Sequence, residues 1–150
     1  MQPEEFWQEY LQAAELPPNT RYLDCFHFEL NERLANELLA LVLSGKKRAT
    51  ASSLFSFEAE GIRLPQPGNH SIVTDWAGTP RCVIRTTAVT TLPFCEMTFE
   101  LCSREGEDDT LASWQRGHCR FFMEEGAELG YEFTEDMPIV FEEFEVVYRK

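Results

Sequence analysis

Basic residues are scarce in this chain. Its 150 residues include 13 Lys and Arg against 26 Asp and Glu, which gives a formal net charge of -13 at pH 7. Proteins that bind duplex nucleic acid without sequence preference draw most of their binding free energy from the neutralisation of phosphates. A surface this acidic opposes that interaction, so the composition excludes a general duplex-DNA-binding protein. It leaves room for a single nucleoside or a short single RNA strand bound in a local pocket.

The sequence also lacks long apolar runs and regularly spaced cysteines. No apolar run approaches the roughly 20 residues of a membrane-spanning helix, and the acidic segment Met1–Glu5 lacks the basic-then-apolar order of a signal peptide. The five cysteines are odd in number, and no two have the spacing Cys-x-x-Cys. Cys25 with His27, and His118 with Cys119, bring possible ligands together without a second half-site for zinc. We therefore expect a cytoplasmic protein with free thiols and with no membrane, metal or cofactor partner.

Apolar residues are abundant enough for one core. Hydrophobic residues make up 43% of the chain and aromatic residues 13%, which favours one folded domain over residues 1–150. Proline at the first helical position predicts a helix over 3–15, which the two prolines after it terminate. Asn31 is a suitable N-cap for a second helix, whose leucine stripe runs to Gly45, a residue typical of a left-handed C-terminal cap.

Strand-like and helix-like segments alternate in the rest of the chain. The predicted strands are 71–76, 81–91 and 138–148, and the predicted helices are 94–102 and 111–128. A bulge is expected in the last strand near Glu142 and Glu143. This order of elements predicts an α+β fold, a small and partly open β-barrel flanked by helices that cover the edges of its sheet.

The turn Ser44–Thr50 is a local island of positive charge in an acidic protein. Gly45 as a helix cap, with Lys46–Arg48 at the negative end of the helix dipole, accounts for the glycine and the charge without any function. Each cation would contribute about 0.3–1 kcal/mol at an exposed site. That interpretation leaves the hydroxyl cluster of Thr50, Ser52 and Ser53 unexplained. A binding or catalytic site at this turn is therefore the alternative interpretation.

The spacing Gly45-x-Lys47-x-x-Thr50 resembles the signature of the ASCH domain family, small barrels related to the PUA fold of RNA-modifying proteins. The resemblance extends over roughly residues 28–148. Further along, Glu105 stands where the family places a functional glutamate, in a loop before another helix. The resemblance implies a single ASCH domain with a PUA-like, partly open β-barrel, preceded by an N-terminal helical extension at about 1–28.

The resemblance also implies an activity. Small ASCH proteins include amidohydrolases that act on N4-acylated cytidine and others described as RNA-cleaving. The amidohydrolase pattern implies Lys47, Thr50 and Glu105 as catalytic residues, in a hydrolase that needs no metal. Activation of the threonine hydroxyl requires a base. Lys47 could serve as that base if its neighbours Lys46 and Arg48 lowered its pKa, although a nearby glutamate would act in the opposite direction.

The role of Glu105 depends on the reaction. In amide hydrolysis it would orient the lysine or relay a proton to the leaving amine. In RNA cleavage it would take a proton from the ribose 2′-hydroxyl, while Lys47 would neutralise charge on the phosphorane. Residues expected to bind the substrate are Gly45, Arg48, Ser52, Arg85 and Trp114.

The remaining candidates have structural interpretations of comparable weight. Backbone N–H groups around Ser52 could form an oxyanion site, and Trp114 could stack on a base, although an aromatic residue in so Phe-rich a chain is more often part of the core. Arg85 could point into the barrel or out to solvent. His118 is interpreted as a hydrogen-bonded, partly buried histidine rather than a catalytic one.

A binding module without catalysis, which recognises RNA or a modified base, is the alternative function. The basic residues outside Lys46–Arg48 are scattered along the sequence. Extended RNA needs a continuous basic track, so the expected partner is a modified nucleoside or a short single-stranded RNA.

Overall fold

The computed structural model describes all 150 residues, and one curled sheet organises them. The strands are β1 (Asp24–Phe26), β2 (Ala49–Ser53), β3 (His70–Thr74), β4 (Pro80–Pro93) and β5 (Pro138–Arg149). The helices are α1 (Pro3–Ala13), α2 (Glu32–Leu43), α3 (Leu54–Glu60), α4 (Phe99–Cys102) and α5 (Leu111–Leu129). The sheet order is β1-β3-β4-β5-β2, with β1 and β3 parallel and every other pair antiparallel. The predicted α+β fold, a partly open barrel flanked by helices, is confirmed.

The long pair β4–β5 forms the centre of the sheet and gives it its curl. Its register passes from the pair Thr86–Phe144 to the pair Ala88–Glu143, so one extra residue is inserted in β4. An insertion of this kind increases the local twist and bends the strand. The bulge expected near Glu143 therefore lies at the predicted place along the ladder, but the extra residue is Thr87 of β4 rather than a residue of β5.

The two helices with clear sequence signals begin and end where their caps predict. The Asn31 side chain accepts a hydrogen bond of 2.9 Å from the backbone N–H of Leu34 at the start of α2. Gly45 follows the end of that helix with φ of +83°. Thr110 caps α5 in the same way through the N–H of Ser113 at 3.1 Å. None of the helices combines the length and the apolar character needed to cross a bilayer.

Other elements differ from the sequence-based expectation. The helix expected over 94–102 is a 3₁₀ turn at Phe94–Glu96 followed by the short α4, because Thr98 caps a new helix through the N–H of Leu101. Another 3₁₀ turn, Ser103–Glu105, continues directly from α4. The strands β1 and β2 and the helix α3 had no sequence signal strong enough to predict them.

The N-terminal helix is part of the core. Phe6, Trp7 and Leu11 of α1 are buried in one cluster with Ile72 of β3 and Val83 of β4. A helix that buries its aromatic face against the sheet contributes to folding directly. A separate and larger cluster joins α5 to β2 and β5 around Trp114 and Phe122, and this second cluster supports the candidate site.

Candidate active site

The turn after α2 directs Lys47 into the protein interior. The backbone N–H groups of Lys46 and Lys47 both donate to the carbonyl oxygen of Leu41 at 3.0 Å, and this tight turn reverses the chain into β2. Lys47 is 1% exposed. A lysine is almost never buried this fully unless its charge is paired.

Three acceptors surround the ammonium group of Lys47. Its Nζ donates to the carbonyl oxygen of Ala49 at 2.8 Å and to Oε2 of Glu107 at 2.6 Å, and lies 3.5 Å from Oε1 of Glu105. The ring of Phe28 stands against the same nitrogen, with its centroid at 5.3 Å. An ammonium has three donors, so each proton of Lys47 has a partner within the protein.

Glu105 is equally enclosed. It is 1% exposed, and its Oε2 accepts a hydrogen bond from the indole N–H of Trp114. Its Oε1 lies 3.4 Å from Nε2 of His118 and 3.5 Å from Nζ of Lys47. Burial alone would raise the pKa of this carboxyl, but His118 and Lys47 outweigh it and hold the pKa well below its ordinary value of 4.5. Glu105 is therefore an ionised carboxylate.

His118 belongs to the same network. Its Nδ1 lies 3.0 Å from the carbonyl oxygen of Trp114, and the imidazole stacks on the indole with ring centroids 4.2 Å apart. Because both ring nitrogens face acceptors, the doubly protonated imidazolium fits best. Burial lowers the pKa of His118, but the charge of Glu105 exceeds that effect and the pKa is raised. The sequence-based interpretation of His118 as hydrogen-bonded is correct, yet it missed the link to Glu105.

This network decides the charge of Lys47. Burial disfavours the ammonium, but Glu105 and Glu107 outweigh burial and raise the pKa of Lys47 above its ordinary value. Lys46 and Arg48, the cations expected to lower it, have exposed side chains. The condition under which Lys47 could be a neutral base is therefore not met, since carboxylates at 2.6–3.5 Å from Nζ act more strongly than charges held in solvent.

A close backbone approach fixes the Glu105 loop against the Lys47 turn. Gly106 has φ of +72°, and a Cβ added there would lie less than 3.0 Å from the carbonyl oxygen of Lys46. Beside it, the N–H of Arg48 donates to the carbonyl oxygen of Arg104 at 3.0 Å. Glycine at 106 thus brings the two segments, far apart in sequence, within hydrogen-bonding reach.

We expect Gly106→Ala to lower the free energy of unfolding by about 2 kcal/mol or more. A left-handed backbone costs a non-glycine residue about 1–2 kcal/mol, and the contact with the Lys46 carbonyl adds to that cost. Gly78→Ala is the matched control, because Gly78 also has positive φ but open space around a Cβ. Urea unfolding of both variants measures the difference. Equal losses would show that the backbone contact has no energetic role.

We also expect the network to make stability depend on pH through His118. The raised pKa of His118 means that its stabilisation is complete below 6.5, its ordinary value, and is lost as pH rises through the folded-state pKa. His118→Gln should therefore flatten the fall in unfolding free energy above pH 6.5, by up to about 1.4 kcal/mol per pH unit.

His70 provides the control of opposite sign. Burial lowers the pKa of His70, so the wild type loses the corresponding stability as pH falls below 6.5. His70→Gln should change the curve on that side and leave the alkaline side intact. Unfolding curves between pH 5 and pH 9 separate the two effects, and an unchanged alkaline slope in His118→Gln would contradict the first.

The network borders a cleft of about 690 Å³. The cleft lies among the segment 23–31, β2, α3 and α5. Its lining is strongly acidic, with the carboxylates of Asp24, Glu29, Glu60, Glu105, Glu107, Asp108, Glu124, Glu125 and Glu142 against the cations of Lys47, His118 and Arg120. Such a lining repels a polyanion and admits neutral or cationic ligands.

Carboxyl groups of a different kind line the same cleft, and one of them, Glu142 of β5, is the register partner of Thr50 in β2. Glu142 accepts a hydrogen bond of 2.6 Å from the Thr86 hydroxyl, and its pKa is raised by burial. Burial also raises the pKa of Asp24 and of Glu60. Unlike Glu105, these groups have no buried cation as a partner, so the cleft contains both an ion-paired carboxylate and weakly compensated carboxyl groups.

The structure brings together four of the residues predicted from the sequence. Lys47, Thr50, Ser52 and Glu105 all line the cleft. Strand β2 has alternating burial, and its half-buried positions are Thr50 and Ser52. Because side chains in a strand alternate between faces, these two hydroxyl groups point to the same side.

The other four predicted residues lie outside the cleft. Trp114 is fully buried and its indole donates to Glu105, so it has no free face on which a base could stack. Arg85 is exposed and forms an ion pair with Glu145. Gly45 and Arg48 line a second cavity of about 470 Å³, which Lys47 also borders.

Glu107, His118 and Glu29 are site residues that sequence reasoning missed. Glu29 lines the cleft with a left-handed backbone of φ +63°, a conformation that is uncommon for non-glycine residues and is concentrated at functional sites. Burial, followed by the charge of Glu107, raises the pKa of Glu29. The spacing of four between Trp114 and His118 was the available signal for the histidine, since it places both on one face of α5.

Solved structures of two other proteins match this fold closely. The crystal structure of protein EF3133 from Enterococcus faecalis has 37% sequence identity and a TM-score of 0.89, over 97% of this chain and 88% of that chain. The ASCH domain from Lactobacillus crispatus has 36% identity and a TM-score of 0.86, over 97% of this chain and 94% of that one. Among curated proteins, none matches significantly.

The family assignment covers most of the chain. The family model described as ASCH domain matches residues 24–148, which include every residue of the cleft network. The match and the two structures agree with the resemblance seen in the sequence. This chain therefore belongs to the ASCH domain family, whose PUA-like fold is associated with RNA binding.

Proposed function

We propose that this protein hydrolyses the exocyclic amide of an N4-acylated cytidine nucleoside. The observation that carries the proposal is a single acidic cleft lined by the ammonium of Lys47, the hydroxyl of Thr50 and the carboxylate of Glu105. These are the groups that the family's amidohydrolase pattern implies. A volume of about 690 Å³ lies within the usual range of small-molecule sites.

The charge of the cleft favours a nucleoside over RNA. Nine carboxylates and three basic side chains (Lys47, His118 and Arg120) line it, and neither Arg85 nor Arg48 adds a cation there. Cleavage of RNA requires the stabilisation of negative charge on a phosphorane, and most of these side chains would raise the energy of that charge. An acylated cytidine without phosphate is uncharged when it binds, and negative charge develops only at one carbonyl oxygen during its hydrolysis.

Lys47 would act as an electrophile in this reaction. Its ammonium can donate to the carbonyl oxygen of the acyl group and stabilise the oxyanion that forms when the Thr50 hydroxyl attacks the carbonyl carbon. Glu105 would keep Lys47 charged and oriented rather than transfer protons, because its two oxygens are already held by Trp114, His118 and Lys47. The amide C–N bond then breaks and cytidine leaves.

Incubation of the purified protein with N4-acetylcytidine tests the proposal directly. We expect cytidine and acetate as products, identified by mass spectrometry. Short single-stranded RNA under the same conditions should stay intact. Cleavage of the RNA without turnover of N4-acetylcytidine would establish the ribonuclease alternative, and saturable binding without any product would establish the binding module; either result would overturn the proposal.

A further inference from the structure

We propose that Glu107 is the proton acceptor of the reaction and that the substrate releases it from Lys47; this inference rests on the proposed function. Lys47 already has three acceptors for its three protons. The carbonyl oxygen of a substrate can reach the ammonium only if one of these acceptors leaves. The structure distinguishes sharply among the three.

Two of the acceptors are fixed. The carbonyl of Ala49 belongs to the backbone of β2, which pairs with β5. Glu105 is buried, and Trp114 and His118 hold its two oxygens independently of Lys47. Movement of either acceptor would leave buried polar groups without hydrogen-bond partners, which is unfavourable.

Glu107 differs from these two acceptors in its exposure and in its number of partners. Its side chain is 20% exposed, and its carboxylate is bound to Lys47 alone, at 2.6 Å. The residue lies on a bend between the 3₁₀ turn that ends at Glu105 and the start of α5. Rotation of the Glu107 side chain therefore breaks one ion pair and no secondary structure, and water can solvate the carboxylate that is released.

The displaced carboxylate stays in the same cleft as Thr50. An ionised glutamate can accept a proton from the attacking hydroxyl, provided that the two come within hydrogen-bonding distance. Of the two carboxylates that form an ion pair with Lys47, only Glu107 is free to leave it. Asp108 accepts a hydrogen bond of 2.6 Å from the Ser113 hydroxyl, and Glu105 is fully occupied.

The proposed step balances in protons and bonds. Thr50 Oγ1 bonds to the acyl carbon as its proton passes to Glu107, and the carbonyl oxygen becomes an oxyanion bound to Lys47. The oxyanion collapses, the C–N bond breaks, and Glu107 returns the proton to the departing N4 nitrogen. Water then attacks the acyl-threonine ester, with Glu107 taking its proton and returning it to Thr50 Oγ1. The products are a carboxylic acid and cytidine.

The charged groups around Glu107 belong to several elements. Lys47 precedes β2, Glu105 lies in the 3₁₀ turn, Glu29 lies before α2, and His118 lies on α5, where its charge also acts on Glu29. A pH profile alone would therefore mix several titrations. A chemical rescue experiment isolates Glu107 from these neighbours.

The test uses Glu107→Gln and Glu107→Ala with N4-acetylcytidine as substrate. We expect Glu107→Gln to lower kcat at least about 100-fold while KM stays unchanged or falls, because a neutral amide competes less strongly for Lys47. Sodium formate should restore part of the activity of Glu107→Ala, since a small carboxylate can occupy the vacated space. Asp109→Asn is the matched control: Asp109 is an exposed carboxylate of the same loop outside the cleft, so its replacement should keep activity within about twofold of the wild type.

The outcomes separate this inference from the proposed function. If the wild type turns over N4-acetylcytidine and Glu107→Gln keeps its kcat, the role of Glu107 is overturned and the proposed function stands. A loss of activity in Glu107→Ala that formate does not restore, with the fold intact by circular dichroism, would also overturn it. No turnover by the wild type would overturn both.

Discussion

Replacement of Lys47 by methionine should lower the free energy of unfolding by about 3 kcal/mol or more. Loss of one partner from a buried ion pair typically costs 3–5 kcal/mol because the remaining charge has no counter-charge. In this protein Glu105 would keep His118 as a partner, so the lower end of that range is expected. The Ala49 carbonyl would also lose its donor.

Urea unfolding at pH 7 measures this loss, and Lys46→Met is the matched control. Lys46 is the exposed neighbour of Lys47, so its replacement should change stability by no more than about 0.5 kcal/mol. The depressed pKa of Glu105 means that its stabilisation is present above 4.5 and is lost as pH falls through the folded-state pKa. The difference between wild type and Lys47→Met should therefore shrink in acid. Equal effects of the two substitutions would contradict the buried-pair interpretation.

Thr50→Val should lower kcat for N4-acetylcytidine by about 1,000-fold or more while the fold stays intact. Valine has nearly the shape of threonine and lacks only the hydroxyl that the proposed reaction uses as nucleophile. Removal of a nucleophile from an active site leaves only the rate enhancement that binding and oxyanion stabilisation supply. Because Thr50 is half-buried in β2, a β-branched replacement also suits the strand.

Two variants serve as controls for the Thr50 prediction. Thr50→Ser keeps a hydroxyl and should retain measurable turnover, whereas Ser52→Ala removes a hydroxyl from the same face of β2 and should leave a substantial part of the activity. Steady-state kinetics on the three proteins, with circular dichroism as a check of folding, completes the test. Turnover by Thr50→Val at the wild-type rate would exclude threonine as the nucleophile.

Local sequence signals were sufficient for the elements that have caps and strong periodicity. Asn31 and Gly45 delimit α2, and Thr110 begins α5, because a side chain or a glycine satisfies the helix end within a few residues. β2 was missed because Ala49–Ser53 consists of small and hydroxyl residues. Its strand conformation depends on pairing with β5, a partner about 90 residues away in sequence.

The candidate site shows the same division. The family pattern pointed to Lys47, Thr50 and Glu105, and in the structure these three residues line one cleft. The protonation of Lys47 could not be obtained from its sequence neighbours, because the charges that determine it come from residues 58 and 60 positions away. For the same reason Trp114, a plausible stacking residue by type, is instead a buried hydrogen-bond donor to Glu105.

The close backbone contact between Gly106 and Lys46 limits how the chain can be changed to alter substrate specificity. Insertions or deletions in either segment would shift the ammonium relative to its carboxylates, so directed evolution should leave both loop lengths untouched. Asp24 of β1 and Glu60 of α3 also line the cleft but form no hydrogen bond or ion pair with Lys47, so these two positions are more permissive. Libraries restricted to those positions could introduce recognition of differently substituted bases without disturbing the groups around Lys47.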